Sequence, residues 1–355
     1  MKLPQRFSLV AQTVLILREQ IAAGQWSKLM PAEGELCEKL HVSRVTLRTA
    51  LGELQREGLI RSSQGRRRQV VKQKRRLAAL LSQQVTLLTP SPLHLLSPNA
   101  LFWIDALREY LVEAGYRLDI QLSYAAYGSS PQKALETLVE QVRPSGLVLY
   151  KSTEPMQRWF SEHKLHCVIT GSRHAGVALP AVDIAYRAVC RHAVGLFVAR
   201  GHTRLALLNP APGLSGDFES EQGFREAAGR SGRPDVEAQV VRHDGTIAGI
   251  CNQLDALLRR PQAPTAFLVS RPEHVLTVAS HLLRRGRSPR EVALISRDDA
   301  LFLENMVPSI ARYAFDPRMF ARKISKAVLG MVHGEQANPA DHLIMPRFVS
   351  GQTLG

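Results

Sequence analysis

The chain has 355 residues, 45% of them apolar, and no apolar run reaches 18 residues. That composition is enough for a buried core, excludes wholesale disorder and excludes a single helical membrane span. The net charge of +15 is unevenly placed: residues 1–76 hold 16 Lys or Arg against 6 Asp or Glu, while the other 279 residues share only +5. A small basic unit on a near-balanced body is the charge distribution of a polyanion-binding head on a larger domain. The four cysteines, Cys37, Cys167, Cys190 and Cys251, show no C-x-x-C spacing. Neither a metal site nor a disulfide framework is indicated, and buried thiols in a reducing cytoplasm are expected.

In chain order, Val10, Val14, Leu17 and Ile21, preceded by Phe7, recur at helical spacing and place one apolar stripe on a first helix. Gln12, Thr13, Arg18 and Glu19 interrupt that segment, which favours an amphipathic helix over a signal peptide. Pro31 opens a second helix, with Leu36 and Leu40 on one face. A third helix begins after Ser43, a good N-cap, with Val42 and Leu47 at the positions of a hydrophobic staple and Gly58 at its end. Its buried face is Leu47, Ala50, Leu51 and Leu54, leaving Arg44, Thr46, Arg48 and Thr49 outward on the first turns. Arginines and hydroxyls there suit base edges and phosphates in a major groove, or simply solvent. Two short strands, "LIRSS" and "RRRQVV", flank Gln64-Gly65 as a hairpin.

Helix, helix, helix, hairpin is the winged helix-turn-helix order. Residues 30–71, "MPAEGELCEKLHVSRVTLRTALGELQREGLIRSSQGRRRQVV", resemble the DNA-binding domain of GntR-family regulators. The resemblance implies operator contacts by Arg44 and Arg48, phosphate or base contacts by Ser43 and Thr46, and a wing tip at Gly65 in the minor groove. Thr49, Gln64, Arg66, Arg67 and Arg68 complete the expected interface with double-stranded DNA. Where the family has a serine and an arginine before its second helix, this chain has Ala32 and Gly34, so a cap and a common DNA contact are absent.

From residue 85 onward short apolar strands ("VTLLT", "GLVLY", "HCVIT", "RLALLN", "TAFLVS", "VALIS") alternate with helical stretches of 10–16 residues. This predicts βα units in two doubly wound parallel-sheet lobes, with ligands outside the carboxyl ends of the strands. The blocks "ARGHTRLALL" and "LLRRGRSPREVALISRDD" resemble the effector domain of LacI/GalR-type repressors, which has the fold of periplasmic sugar-binding proteins. The expected division is a head at 1–71, a basic linker at 72–84 and a body at 85–355. Lobe crossings are expected near Gly171, Phe315 and Gly334, giving one lobe of 85–171 and 316–334 and another of 172–315 and 335–355.

The family's arginine three residues before "GF" is Ser220 here, its "ND" pair is Arg271-Pro272, and its aromatic before the Asp pair is Arg297, followed by Asp298. With Arg173, these form the expected effector site. They leave three readings open: an anionic or phosphorylated sugar, a neutral saccharide held by different residues, or a vestigial pocket controlled by a protein partner. The expected protein is a bacterial cytoplasmic regulator, a repressor, binding a roughly palindromic operator as a homodimer. An effector-binding protein without operator specificity is the alternative. No cofactor, metal or membrane partner is expected, and no catalytic residue: none of the hydrolase, zincin or P-loop motifs occurs, Asp298 and Asp299 point apart, and His202 reads as a turn residue.

Overall fold

A computed structural model describes residues 9–22, 25–26, 29–56, 58–61, 67–70, 83–288, 291–335 and 342–354. The chain divides into two compact units, Met1–Gln83 and Gln84–Gly355. In the first, α1 (Leu9–Ala22), α2 (Glu33–Leu40) and α3 (Arg44–Arg56) precede the short strands β1 (Ile60–Arg61) and β2 (Gln69–Val70). Val14, Leu17 and Ile21 of α1 pack with Leu36 of α2 and with Leu47, Leu51 and Leu54 of α3. Each such side chain, fully buried, contributes about 1.5–3 kcal/mol, so the 3.6-residue periodicity is what holds the helices together. Gly58, at φ +72°, closes α3 and lets the Leu59 amide reach the Leu54 carbonyl at 3.0 Å. The antiparallel pairs Ile60–Val70 and Arg61–Gln69 form the base of the expected hairpin. Its tip, with Gln64, Gly65 and Arg66, and the basic segment from 71 to 82 lie outside the described residues.

The second unit contains two six-stranded sheets. The first lobe has β3 (Gln84–Thr89), β4 (Arg117–Leu122), β5 (Gly146–Tyr150), β6 (Cys167–Thr170), β7 (Ala181–Ile184) and β13 (His342–Ile344), in the order β13-β7-β6-β5-β3-β4, all parallel. Its helices are α4 (Pro98–Glu113), α5 (Gln132–Val142), α6 (Glu154–Glu162) and α11 (Pro317–Val332), and α11 packs on α4. The second lobe has β8 (Arg204–Pro210), β9 (Glu237–His243), β10 (Ala266–Val269), β11 (Ala293–Ser296), β12 (Ala311–Ala314) and β14 (Arg347–Val349), in the order β14-β12-β11-β10-β8-β9. Only β14 runs antiparallel to its neighbour. α7 (Tyr186–Ala199), α8 (Ser215–Gly229), α9 (Ile247–Leu258) and α10 (Pro272–Arg284) belong to this lobe. Strands such as Leu205 to Leu208 and Ala266 to Val269 are fully buried, as continuous apolar runs between two helical layers require. Among the described residues, no helix is long and apolar enough to cross a membrane.

Two expected crossings move. Gly171, at φ +117°, ends β6, but the chain turns back into the first lobe as β7 and leaves it only at Ala185. Asp183 breaks the apolar run of β7, so that strand does not read as one. Likewise Gly334, at φ +81°, only closes α11; β13 then pairs with β7, and the chain passes to β14 at 345–346. The middle passage lies between β12 and α11, around Phe315.

Packing of α7 on α8 is set by Gly223. A Cβ there would meet Arg187 Cα at 2.7 Å and its carbonyl oxygen at 2.8 Å, and backbone cannot yield as a side chain can. Gly223→Ala should therefore lower stability by about 1–3 kcal/mol, read as an earlier urea midpoint with an unchanged slope.

Candidate functional site

In the first unit, Ser43 accepts the Thr46 amide at 3.2 Å and shares a hydroxyl contact with Thr46 Oγ1 at 2.9 Å, capping α3. Thr49 donates to the Val45 carbonyl at 2.9 Å. These three hydroxyls are engaged within the helix. No motif of the sequence marks Glu33 as a site residue. Its carboxylate accepts Arg48 Nε at 2.9 Å and Arg68 Nη1 at 2.7 Å, joining α2, α3 and the strand that leads out of the wing. Hydrogen bonds from Arg68 and Arg48 hold the Glu33 carboxyl below its usual range. Arg48 keeps 66% of its side chain exposed. Arg44 and Arg67 are also exposed. Arg68 is three-quarters covered, so it braces the wing more than it faces outward.

Between the lobes of the second unit is a cavity of about 220 Å³. Its first-lobe wall is aromatic. Trp103 of α4 lies 5.6 Å from Tyr150 at the end of β5 and 5.7 Å from Phe320 of α11, and Phe315 at the middle crossing lies 5.4 Å from Phe320. Burial lifts the Tyr150 phenol to about 12, so it stays a neutral donor. The second-lobe wall is ionic and sits at the carboxyl ends of β10 and β11, where the doubly wound fold places ligands. Arg297 donates Nη1 to Asp217 Oδ1 at 2.9 Å and to Ser220 Oγ at 3.0 Å, and Nη2 to Asp298 Oδ2 at 2.8 Å. Its guanidinium lies 4.2 Å from the Tyr186 ring centroid. Arg271 Nη2 reaches the other Asp217 oxygen at 2.7 Å, and that oxygen also accepts the Leu214 amide at 2.9 Å. Burial opposes the charge on Asp217, but Arg297, Arg271 and the Leu214 amide outweigh it and hold the carboxyl below its usual range. Burial likewise opposes the Arg297 charge, and Asp298, Tyr186 and Asp217 more than compensate, raising its pKa.

The structure thus brings Ser220, Arg271, Arg297 and Asp298 together. Ser220 is buried, with its hydroxyl donating to the Gly216 carbonyl at 2.8 Å, so it supports Arg297 instead of lining the cavity. The Arg297 guanidinium occupies the neighbourhood where the resemblance expects an arginine on α8. Arg173 does not line this cavity. Lys151, which no motif of the sequence marks, does; its backbone is left-handed at φ +52°, and burial followed by the Arg271 charge lowers its pKa. Three cations, Lys151, Arg271 and Arg297, stand against four carboxylates, Asp183, Asp217, Glu273 and Asp298, while the carboxylate of a fifth lining residue, Asp299, is held by Arg312 outside the lining. The cavity is therefore net acidic, although two extra arginines are present. Asp299 turns away to Arg312 at 2.6 Å, while its carbonyl accepts Asn99 Nδ2 of the first lobe at 2.7 Å. His202 bonds Thr265 Oγ1 at 2.9 Å across two turns. Among the described residues, no group of three or more His, Cys, Asp or Glu could hold a metal ion.

Beside this ionic wall, His243 at the end of β9 meets His274 of α10 with ring centroids 4.7 Å apart. His243 Nδ1 accepts the Gly245 amide at 3.1 Å, so its proton lies on Nε2, which is buried without a protein partner. Burial first, then the neighbouring His274, depresses its pKa from 6.5 to about 4. Between those values the unfolded chain binds a proton that the folded chain refuses, so stability falls as pH drops through that window. Urea denaturation from pH 7 to pH 4.5 should show this loss, and His243→Gln should reduce its slope.

Residues 9–70 match the model of bacterial regulatory proteins of the gntR family, and residues 194–354 match that of the periplasmic binding protein-like domain. The chain is 26% identical over 288 residues to the arabinose metabolism transcriptional repressor of Geobacillus stearothermophilus, covering 77% of this chain and 76% of that protein. Its fold is similar to a LacI-family regulatory protein from Chloroflexus aggregans, at a TM-score of 0.68 and 18% identity over 77% of this chain and 99% of that one. It is also similar to a transcriptional regulator CelR–cellobiose complex, at a TM-score of 0.67 and 18% identity over 99% and 100% of the two chains. The chain joins a gntR-family regulatory head, residues 9–70, to a periplasmic binding protein-like body, the architecture of a DNA-binding transcription regulator.

Proposed function

We propose that the protein is a repressor whose operator affinity responds to a neutral, sugar-sized ligand held between the lobes of the body. The observation that carries the ligand class is the pairing of an aromatic wall with a self-neutralised ionic wall. Trp103, Tyr150, Phe315 and Phe320 line the cavity with aromatic rings, an apolar surface suited to a sugar ring. Asp298, Arg271 and Lys151 offer acceptors and donors to its hydroxyls. The excess of one carboxylate over the lining cations works against an anion, which is why the neutral reading is preferred to the phosphorylated one. At about 220 Å³ the cavity is smaller than the roughly 300–1,000 Å³ of sites for drug-sized ligands, so one ring fits better than a chain. The regulators named for arabinose metabolism and for a cellobiose complex support a saccharide.

In the head, Arg44 and Arg48 on the first turns of α3 would read base edges in a major groove. Arg67 would contact phosphate. Two heads in a homodimer would address a roughly palindromic operator. Ligand binding would favour one lobe arrangement over another and so shift the population that binds DNA, which requires different ligand affinity in the two states.

Two measurements test this. Fluorescence anisotropy on an operator fragment selected from genomic DNA should show that Arg44→Ala costs about 1–3 kcal/mol of discrimination. The same measurement should show that Arg67→Ala lowers the salt slope by about one for all sequences. Retained discrimination in Arg44→Ala would remove α3 from its assigned role. A thermal-shift panel of pentoses, hexoses and their phosphates on the full chain should find stabilisation by a neutral monosaccharide, lost in Asp298→Asn. Stabilisation confined to the phosphates, or absent throughout, would overturn the neutral-sugar reading.

A further inference from the structure

A second cavity, of about 490 Å³, opens where the chain passes between the lobes. One side belongs to the first lobe: Arg173 and His174 after β6, and Leu343 of β13. The other belongs to the second: Arg187 and Arg191 of α7, and Glu219 of α8. We infer that this cavity binds a small phosphate-bearing metabolite and is distinct from the sugar-sized cleft.

The charge balance is the reverse of that in the cleft. Three guanidiniums, those of Arg173, Arg187 and Arg191, face two carboxylates, Asp183 and Glu219. Glu219 is engaged by Arg187. Asp183 accepts the Ser172 hydroxyl and the Ile184 amide. Arg191 stands one turn beyond Arg187 on α7, is exposed, and pairs with no carboxylate among the described residues. Arg187 also approaches Glu226 at 3.9 Å, so it is the Arg191 guanidinium that stands outside these ion pairs, and its planar fork matches two oxygens of a phosphate. The volume is within the range of small-ligand sites of about 300–1,000 Å³, so it accommodates a phosphate monoester with its organic part. His174 and Ser172 add polar edges to the same space.

The position gives such a ligand a means of acting on the cleft. Ser172, Asp183, Ile184 and Tyr186 line both cavities. The Tyr186 ring carries the Arg297 guanidinium of the ionic wall. An anion that draws Arg173 of one lobe and Arg191 of the other to a common point fixes the angle at the first crossing. The affinity of the cleft for its own ligand then changes, and by linkage each ligand alters the other's affinity by the same factor.

Isothermal titration calorimetry of the full chain, with inorganic pyrophosphate as probe, tests the site. Saturable binding is expected, weakened by at least about tenfold in Arg191→Glu through loss of a charge-assisted contact. Arg191 is exposed, and an unchanged melting temperature verifies that the variant folds. Arg67→Ala in the head should leave pyrophosphate affinity unaltered. Equal affinity in wild type and Arg191→Glu would overturn the assignment, as would the absence of saturable binding. Binding lost in Arg67→Ala but not in Arg191→Glu would place the anion on the head and overturn it too. Failure of every sugar to stabilise the chain, with pyrophosphate binding intact, would sink the cleft reading alone.

Discussion

Arg297 is 2% exposed, one of the largest fully buried side chains among the described residues. A charge taken that far from water carries a penalty of several kcal/mol unless its surroundings supply acceptors and opposite charge. They do so from four places: Asp217 and Ser220 on α8, Asp298 beside it, and the face of Tyr186 at the start of α7. Asp217 is in turn shared with Arg271 ahead of α10 and with the Leu214 amide ahead of α8. The requirement that one guanidinium be satisfied thus orients the starts of α7, α8 and α10 relative to β11. It makes the second-lobe wall of the cleft a preformed surface.

That arrangement explains why the number of arginines near the cleft misleads about its ligand. Arg271 and Arg297 neutralise Asp217 and Asp298 before any ligand arrives, and the remaining lining tips the balance to acid. The opposite wall is built differently, from rings that touch one another edge to face or tilted and need no counter-charge. A molecule between them meets the ionic groups on one side and aromatic rings, with Lys151 and Asp183 beside them, on the other. The second cavity lies beyond the shared residues Ser172, Asp183 and Tyr186, where Glu219 is paired with Arg187 and Arg191 is exposed.

The head shows the same economy on a smaller scale. Glu33 ties Arg48 of α3 to Arg68 beside β2, and the bridge between Leu29 and Gln69 adds backbone pairing to that link. α3 and the base of the hairpin are therefore tied to one another through α2. Hydroxyls of Ser43, Thr46 and Thr49 serve the helix itself. Arg44 and Arg67 are left as cations without a carboxylate partner among the described residues.

What the sequence determined by itself was everything carried by local periodicity. Val14, Leu17 and Ile21, the Ser43 cap, Gly58 and the apolar runs of β5, β8 and β10 each state their conformation within a few residues. The helix-turn-helix head and the doubly wound lobes follow from them. The short strands β7, β12, β13 and β14 were not legible, because Asp183 and Arg312 interrupt two of them and the other two have three residues each. They are strands only because distant partners pair with them, as 342–344 does with 182–184. For the same reason two lobe crossings were misplaced, since Gly171 and Gly334 mark the ends of elements and not exits from a lobe. The sequence marked Ser220, Arg271, Arg297 and Asp298 as unusual, but their mutual neutralisation depends on the distances between α8, β10 and β11. Charge sign in a cavity is a sum over residues far apart in the chain, and only the tertiary structure performs that sum.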